Sequence, residues 1–600
     1  MKKLNTAKLV FSSIILIIST GQSYSNGLSD SIVSDISKFC SRMHGFNLLG
    51  KFDVYNSNTG YVEKEFYLIQ QFGFNFARLP LDFRTYTVAG DWNSFKETEV
   101  QQIDKAIAWG IKYNIHICIN IHRAPGYCVN STTLPLNQQL NLWTDTVAQN
   151  AFIKHWTYFA VRYKDISPDK LSFNLVNEPS NVSESDYSKV MLKAIKAIHA
   201  VTPSRIIFVD GLNYATTPVV SLKDEPNIAQ AIHCYSPFGI THYKAEWISG
   251  SNDMPLPHWP LLQISNYLYG PWKAGFKSTL VINGTFPKET EVIVNVKQVS
   301  IESTLLIKSG TNVVLSKKFV CTADTGQDFS KIISTQYGYQ NISNKNFSGK
   351  TVVDASRLTF ENSSGDWMII NSITIKTDGS EYTFFPGDDT WGNKQDTVIM
   401  DASGKLKAKD GSDLIPFQSY RSIFATAKSN NIPIMIQEFG VYNKTPHDVS
   451  LSFLSDIVKL FNENNLGWAM WNFNGAFGIL NSGRADCVYE NYQGYKLDRA
   501  LLDIITGKSS TEIIAVSGVK GLKIYPNPAK GYIYISGNNL SGKLIIKLTD
   551  ITGKTIKIVS FKAEDSGLLK LELSDVLPGV YIVSLKSIGV NYYSKIIVRQ

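Results

Sequence analysis

Residues 171–179 read Leu171-Ser-Phe-Asn-Leu-Val-Asn-Glu178-Pro179, a short apolar run closed by a carboxylate, and far downstream Ile434-Met-Ile-Gln-Glu438-Phe-Gly440 repeats the arrangement. Both runs are β-branched or aromatic and are not alternated with polar residues. Strands of a parallel sheet buried on both faces read this way. Barrel enzymes place their chemistry at the C-terminal ends of such strands, so two glutamates in equivalent positions point to paired acid chemistry. Either glutamate alone is more often a solvated surface group, and only the wider constellation turns the pair into a site.

Working outward, six further runs have the same texture: His44–Leu49, Phe74–Arg78, Ile115–His122, Ile206–Asp210, Ile228–Tyr235 and Gly467–Trp471. With Leu171–Glu178 and Ile434–Glu438 they make eight, the number that closes a (β/α)8 TIM barrel. Thr98–Tyr113, Thr146–Tyr163 and Asp186–Val201 carry apolar residues at helical spacing and are expected as outer helices. The expected fold class is therefore α/β.

The rhythm breaks between the sixth and seventh runs. From Phe276 to Met400 the text changes to two-residue alternation, in Thr279–Asn283, Glu291–Val296, Asn312–Leu315 and Trp367–Ile375, separated by Gly, Asn, Asp and Ser turns. That is the writing of a β-sandwich. A structureless loop of that length is improbable in a compact domain, so an inserted folding unit is expected beside the active face. In length, and in carrying Trp367 and Trp391, it resembles jelly-roll carbohydrate-binding modules; a stabilising or dimerising appendage is the plainer alternative.

The 600 residues exceed one ordinary domain, and 44% hydrophobic content excludes wholesale disorder. The net charge of +8 is spread along the chain without a basic-aromatic block, which argues for solubility and against nucleic acid. Lys2, Lys3 and Lys8 precede an apolar stretch from Leu9 to Ile18, the pattern of a secretory signal peptide over residues 1–25. That stretch is about half the roughly 20 residues a membrane span needs, and no other segment is long enough either. Cys40, Cys118, Cys128, Cys234, Cys321 and Cys487 are scattered with no Cys-x-x-Cys pair, so disulfide connectivity is not readable and structural zinc is not expected.

The expected division is a barrel in two parts, 26–275 and 405–507, an inserted sandwich at 276–404, a linker at 508–520 and a terminal β unit at 521–600. In that last unit, Leu522-Lys-Ile-Tyr-Pro-Asn-Pro-Ala529, Asp550-Ile-Thr-Gly-Lys554, Leu577-Pro-Gly-Val-Tyr-Ile582 and Lys595-Ile-Ile-Val598 follow in order. They resemble the C-terminal sorting domain of the type IX secretion system. The resemblance implies export across an outer membrane by that machinery, to the medium or the cell surface. A fibronectin-like binding module is the alternative.

Six of the eight expected strand ends supply Arg78, His122, Asn177 with Glu178, His233 with Tyr235, Glu438 and Trp471. Each has a bland explanation as ion-pair member, core histidine or packing aromatic. Their joint placement at one barrel face does not. The set Ala77-Arg78-Leu79-Pro80, Ile121-His122, Asn177-Glu178-Pro179, His233-Cys-Tyr235, Gln437-Glu438-Phe439-Gly440 and Trp471-Asn-Phe473 resembles glycoside hydrolase family five, over about 41–275 and 405–505. The resemblance implies Glu178 as acid/base and Glu438 as nucleophile of a retaining mechanism; spacing alone assigns neither role. Retention needs the carboxyl groups about 5 to 5.5 Å apart.

The resemblance further implies that Asn177 bonds the sugar 2-hydroxyl, His122 bonds another hydroxyl, His233 tunes the acid/base, Arg78 and Tyr235 keep Glu438 charged, and Trp471 is a stacking platform. Tyr127, Trp143, Trp247 and Trp259 are additional subsite candidates, and His122-Arg-Ala-Pro-Gly-Tyr-Cys128 forms a long third loop that the generic motif does not explain. No cofactor and no metal is called for: a metal-dependent hydrolase would want a His-x-His pair or clustered ligands, and none is present. An endo-acting β-1,4-glucanase is the first expectation, with exo action, mannan, xyloglucan or β-1,3-glucan open. A non-catalytic polysaccharide-binding barrel is the rival from another class, and the presence of both glutamates argues against it.

Overall fold

The computed structural model describes residues 30–129, 140–377, 379–414, 417–507, 523–536, 542–550, 555–563, 568–587 and 590–599. The expected signal segment 1–25 and linker 508–520 lie outside the described residues.

Eight parallel strands close into a barrel: β1 (His44–Asn47), β2 (Phe76–Asp82), β3 (His116–Arg123), β4 (Leu171–Asn174), β5 (Ile207–Asp210), β6 (Ile228–Cys234), β7 (Ile434–Phe439) and β8 (Trp468–Met470). Each arises from one of the expected runs, and every residue of β2 to β8 is buried. The ring is closed by β8 on β1, with Gly45 opposite Ala469. Gly45 is needed for close approach: a Cβ there would lie 1.7 Å from the Phe76 carbonyl oxygen.

Helices Glu97–Lys112, Thr146–Arg162 and Glu184–His199 fall where helical spacing places them, two of them capped by a side chain: Asp145 accepts from Val147 and Ala148, and Ser183 accepts from Asp186. Their apolar stripes, including the fully buried Trp156 and Tyr187, pack against the strands in one large core. The helix Asp30–Ser41 closes the floor, where Ile36, Phe39 and Cys40 meet Phe76, Cys118, Phe208 and Met435.

Between β6 and β7 rises a β-sandwich of two six-stranded sheets. One contains Tyr267–Tyr269, Trp367–Thr377, Glu291–Ser300 and Gly338–Lys350; the other contains Glu302–Ser309, Ala355–Gly365 and Leu280–Phe286. Alternate residues such as Val292, Val294 and Val296 point into a core of their own with Leu305, Ile307 and Phe360. The unit is larger than alternation indicated, because Tyr267–Tyr269 joins the first sheet and Leu406–Ala408 the second. These strands have three residues each and are too short to show a period.

The chain ends in a second β unit whose strands divide into Gly542–Asp550, Thr555–Ala563, Gly579–Ser587 and Val590–Val598 on one side and Lys523–Lys530, Tyr532–Ser536 and Leu568–Glu572 on the other, joined where Ala529 meets Val598. Ile533, Leu544, Ile546, Leu548 and Val583 fill its core.

Candidate active site

The C-terminal ends of the barrel strands converge on a layer of buried polar side chains. Arg78, at 0% exposure, is its hub. Its Nη1 donates to Glu438 Oε1 at 2.5 Å and to Asn47 Oδ1 at 3.0 Å, and its Nη2 donates to Asn177 Oδ1 at 2.8 Å and Asn174 Oδ1 at 2.9 Å. A planar fork with five donors can serve four residues at once, which an ammonium cannot.

Glu438 lies on β7 and is 4% exposed. Its second oxygen accepts from Tyr235 Oη at 3.2 Å and has His233 Nδ1 at 3.8 Å. Burial pushes its carboxyl above the ordinary value, against the pull of His233 and Arg78 and with the help of Glu178 and Asp210. The Tyr235 phenol is raised well above its usual range by burial and by the two glutamates, so it stays a donor.

Glu178 does not sit on a strand. β4 stops at Asn174, and Glu178 lies four residues further on, held at φ +49°. That conformation is strained for a residue with a Cβ. Three contacts hold it: its N–H donates to Asp210 Oδ2 at 2.8 Å, its carbonyl accepts from Tyr127 Oη at 2.7 Å, and His233 Nδ1 lies 2.8 Å from its Oε1. At 17% exposure of the side chain it is the more open of the two carboxylates. Burial works to lower the His233 value, but Glu438, Glu178 and Asp210 outweigh it and the imidazole is raised.

Burial first, then Arg123 and Arg78, drive the His122 imidazole well below its ordinary value, and its Nδ1 has no partner. It stacks on Trp471 at 5.5 Å, and Trp471 is half-buried beyond β8. Asn177 likewise keeps a buried Nδ2 without a partner. The structure thus brings Arg78, His122, Asn177, Glu178, His233, Tyr235, Glu438 and Trp471 to one face. Tyr127 and Trp143 are placed differently from exposed platforms: both are 9% exposed, their rings lie 4.8 Å apart, and Tyr127 is committed to the Glu178 backbone. Trp259 packs on Phe417 and Phe453 at the junction with the sandwich, whereas Trp247 stays 55% exposed beside Tyr442.

Four residues of the layer are absent from the sequence reading: Asn47, Asn120, Asn174 and Asp210. Asn174 Oδ1 accepts from Arg78 and from Asn120 Nδ2 at 2.7 Å, and its Nδ2 donates to Asp210 Oδ1 at 2.7 Å. The signal was present in Ile119-Asn-Ile121, Phe173-Asn-Leu175 and Phe208-Val-Asp210. A polar residue inside a run buried on both faces must have polar company.

Glu178, His233 and Glu438 offer one donor atom each within 4.8 Å of one another, and so do His447, Cys487 and Asp498 at the barrel rim. In the second group His447 Nε2 is already 2.8 Å from Asp498, and burial raises the Cys487 thiol. Cys40, Cys118, Cys234, Cys321 and Cys487 are free thiols.

A parallel eight-stranded barrel with two facing glutamates at its C-terminal end defines the class of barrel glycosidases. The particular family follows from comparison: the chain belongs to the cellulases of glycosyl hydrolase family 5, whose model matches residues 41–262 and 387–477, more than half of its length. The gap between the two matched stretches falls in the inserted sandwich. Residues 523–599 match the secretion system C-terminal sorting domain. Endoglucanase C of Acetivibrio thermocellus is 29% identical over 212 residues, 34% of this chain and 60% of that protein. Endoglucanase 3 of Fibrobacter succinogenes is 26% identical over 232 residues, 36% of this chain and 33% of that protein. The chain therefore spans less than two thirds of these relatives. A solved glycoside hydrolase structure aligns with 78% of this chain and 99% of its own at TM-score 0.49 and 23% identity. No helix among the described residues is long and apolar enough to cross a membrane.

Proposed function

We propose that this protein is a retaining hydrolase of β-linked glucan, with endo-β-1,4-glucanase action, Glu438 as nucleophile and Glu178 as acid/base. The observation that carries the reading is the carboxylate separation: oxygens of Glu178 and Glu438 lie within 4.8 Å. That supports the spacing of a retaining pair, about 5 Å, over the about 6.5–9.5 Å across which an inverting pair holds its water.

Glu438 attacks the anomeric carbon while Glu178 protonates the departing oxygen, giving a glycosyl ester on Glu438. Glu178 then takes a proton from the water that displaces it. The contacts match this division. Arg78 and Tyr235 bond one oxygen of Glu438 each, which orients the nucleophile and stabilises its charge. Glu178, more exposed, meets leaving group and water, and His233 is within hydrogen-bond reach to take part in its proton exchange. The unpaired Asn177 Nδ2 and His122 Nδ1 are free to bond sugar hydroxyls, and Trp471 offers an apolar face to a pyranose.

The names of the similar endoglucanases support glucan as substrate. The same reading divides the chain as a signal peptide over 1–25, a catalytic barrel interrupted by the sandwich, and a sorting domain that hands the protein to the type IX machinery for release or surface display.

The test is product release from carboxymethylcellulose, mixed-linkage glucan, laminarin and mannan, with proton NMR of the first anomer formed. Mixed oligomers from a β-1,4-glucan with initial β-anomer are expected. Initial α-anomer would overturn retention, and hydrolysis that persists in Glu438→Gln would remove Glu438 from its role.

A further inference from the structure

On the first sandwich sheet, the face turned away from the sandwich core carries a second apolar cluster of Tyr269, Trp367 and Ile369, with Tyr267 and Phe276 against it. Cross-strand pairing assembles it, Tyr267 opposite Ile369 and Tyr269 opposite Trp367. Over these rings Trp391 stands on edge, 5.3 Å from Tyr267, 5.2 Å from Tyr269 and 5.9 Å from Trp367, with interplanar angles of 84°, 90° and 88°. These three rings, with Phe276 at 6.1 Å and the Lys273 ammonium 5.9 Å from the indole centre, hold Trp391 in place while 48% of it stays exposed. The fold has no need of this: the core on the other side of the sheet is complete, and an outer sheet face ordinarily alternates to polar residues.

Beside Trp391 runs a groove of about 910 Å³, with Trp272 and Tyr337 along it at 57% and 72% exposure. Asp366 lines the same groove at 6% exposure. One of its oxygens accepts from Ser300 Oγ at 2.5 Å; the other, Oδ1, has no hydrogen-bond partner, and the Lys273 ammonium is 3.6 Å away. The ammonium compensates the charge of this buried oxygen but does not fill its acceptor position, and an unmet acceptor of this kind in a folded protein calls for an explanation. A hydroxyl group arriving in the groove would supply the missing donor.

We propose that this groove is a glycan-binding site. The exposed faces of Trp391 and Trp272 stack on the C–H faces of pyranose rings, and Asp366 Oδ1 accepts from a sugar hydroxyl. Flat amphipathic rings that pair an apolar face with a hydroxyl rim match what the groove offers: indole, and one oriented acceptor set below it. The occupant is the β-linked polysaccharide that the barrel cleaves, a choice that rests on the function proposed above. The sandwich is inserted after β6, among the loops that surround the active face, so a chain held there is kept beside the cleft.

The test compares the full chain in its Glu438→Gln background with the same chain carrying Trp391→Ala, Trp272→Ala or Asp366→Asn, by retardation in native gels containing each of the four polysaccharides. Trp272→Ala alters an exposed side chain, so it reads the groove even if Trp391→Ala unfolds the sheet edge. Each groove variant is expected to weaken retention about tenfold or more on one polysaccharide. In the active background, the same variants are expected to leave kcat/KM on a short oligosaccharide unchanged. Retention that is absent in every gel, or that Trp272→Ala and Asp366→Asn leave intact, overturns the proposal while leaving the hydrolase reading untouched. Groove-dependent retention in a chain that cleaves none of the polymers overturns the hydrolase reading and upholds the groove.

Discussion

Replacing Arg78 by methionine removes the guanidinium that touches Glu438 and keeps most of the side-chain volume. The Arg78–Glu438 contact is 2.5 Å with side-chain exposures of 0% and 5%. At an effective dielectric near 20, two charges about 4 Å apart interact by about 4 kcal/mol. His233 also faces Glu438 and raises its own proton affinity in answer, so about half of that, about 2 kcal/mol, is expected to survive as a shift, roughly 1.5 pH units at about 1.36 kcal/mol each. The direction follows from the charge lost: Arg78 lowers the Glu438 value, so its removal raises it further above that of an ordinary carboxyl. The nucleophile must be ionised, and the acid limb of kcat/KM therefore moves to higher pH. The assay is initial rates from about pH 4 to about pH 9 on the preferred glucan, with thermal melts to confirm folding. Arg78→Met is expected to lose about 30-fold in kcat/KM on the acid side, a deficit that narrows as pH rises. A constant deficit at every pH would refute the electrostatic reasoning and leave Arg78 a purely geometric part.

Asp210→Asn keeps size but weakens the hold on the strained Glu178 backbone and removes a negative charge that raises His233; kcat is expected to fall about tenfold or more with KM little changed, read from steady-state kinetics. Gly45→Ala forces a Cβ onto the Phe76 carbonyl, and a loss of at least about 3 kcal/mol is expected in urea unfolding. His155, buried between Tyr86 and the Trp92 carbonyl, is lowered from 6.5 to about 4 by burial. The unfolded chain then binds the extra proton, so this contribution is whole above about pH 6.5 and lost as pH falls toward about 4, roughly 3 kcal/mol at most. His155→Gln should flatten the melting temperature against pH in that window by about one proton, and an unchanged slope would show that His155 does not titrate there.

The barrel was legible because seven of its strands are buried throughout, and unbroken apolar runs record that directly. Strand limits were less so: Leu175, Val176 and Asn177 are as buried as β4 itself, but their burial is that of a loop folded over the barrel mouth, and composition cannot tell the two apart. The candidate site could be read because its members end their runs. Asn120, Asn174 and Asp210 are hard to single out because they lie within or at the close of such runs, where an apolar majority sets the pattern and one polar residue does not change it. Tyr127 and Trp143 looked like subsites because an aromatic residue in a loop over the site carries no mark of which way its ring faces.

The interruption between β6 and β7 also governs how the molecule can be assembled. β6 must pair with β7 about 200 residues later, and β8 must return to β1 at the start of the chain. Loop closure grows by about 0.6 kcal/mol per doubling of length, so a sandwich that folds first, reducing the free segment to about 50 residues, removes roughly 1.2 kcal/mol from that step. Six strands paired without the last two would leave bare edges at β1 and β6, and unpaired edges are prone to aggregation. A sandwich that folds first would thus act in time as well as in space, as a brace that draws the two halves of the cylinder within reach, and it precedes in the chain the two strands it would bring to them.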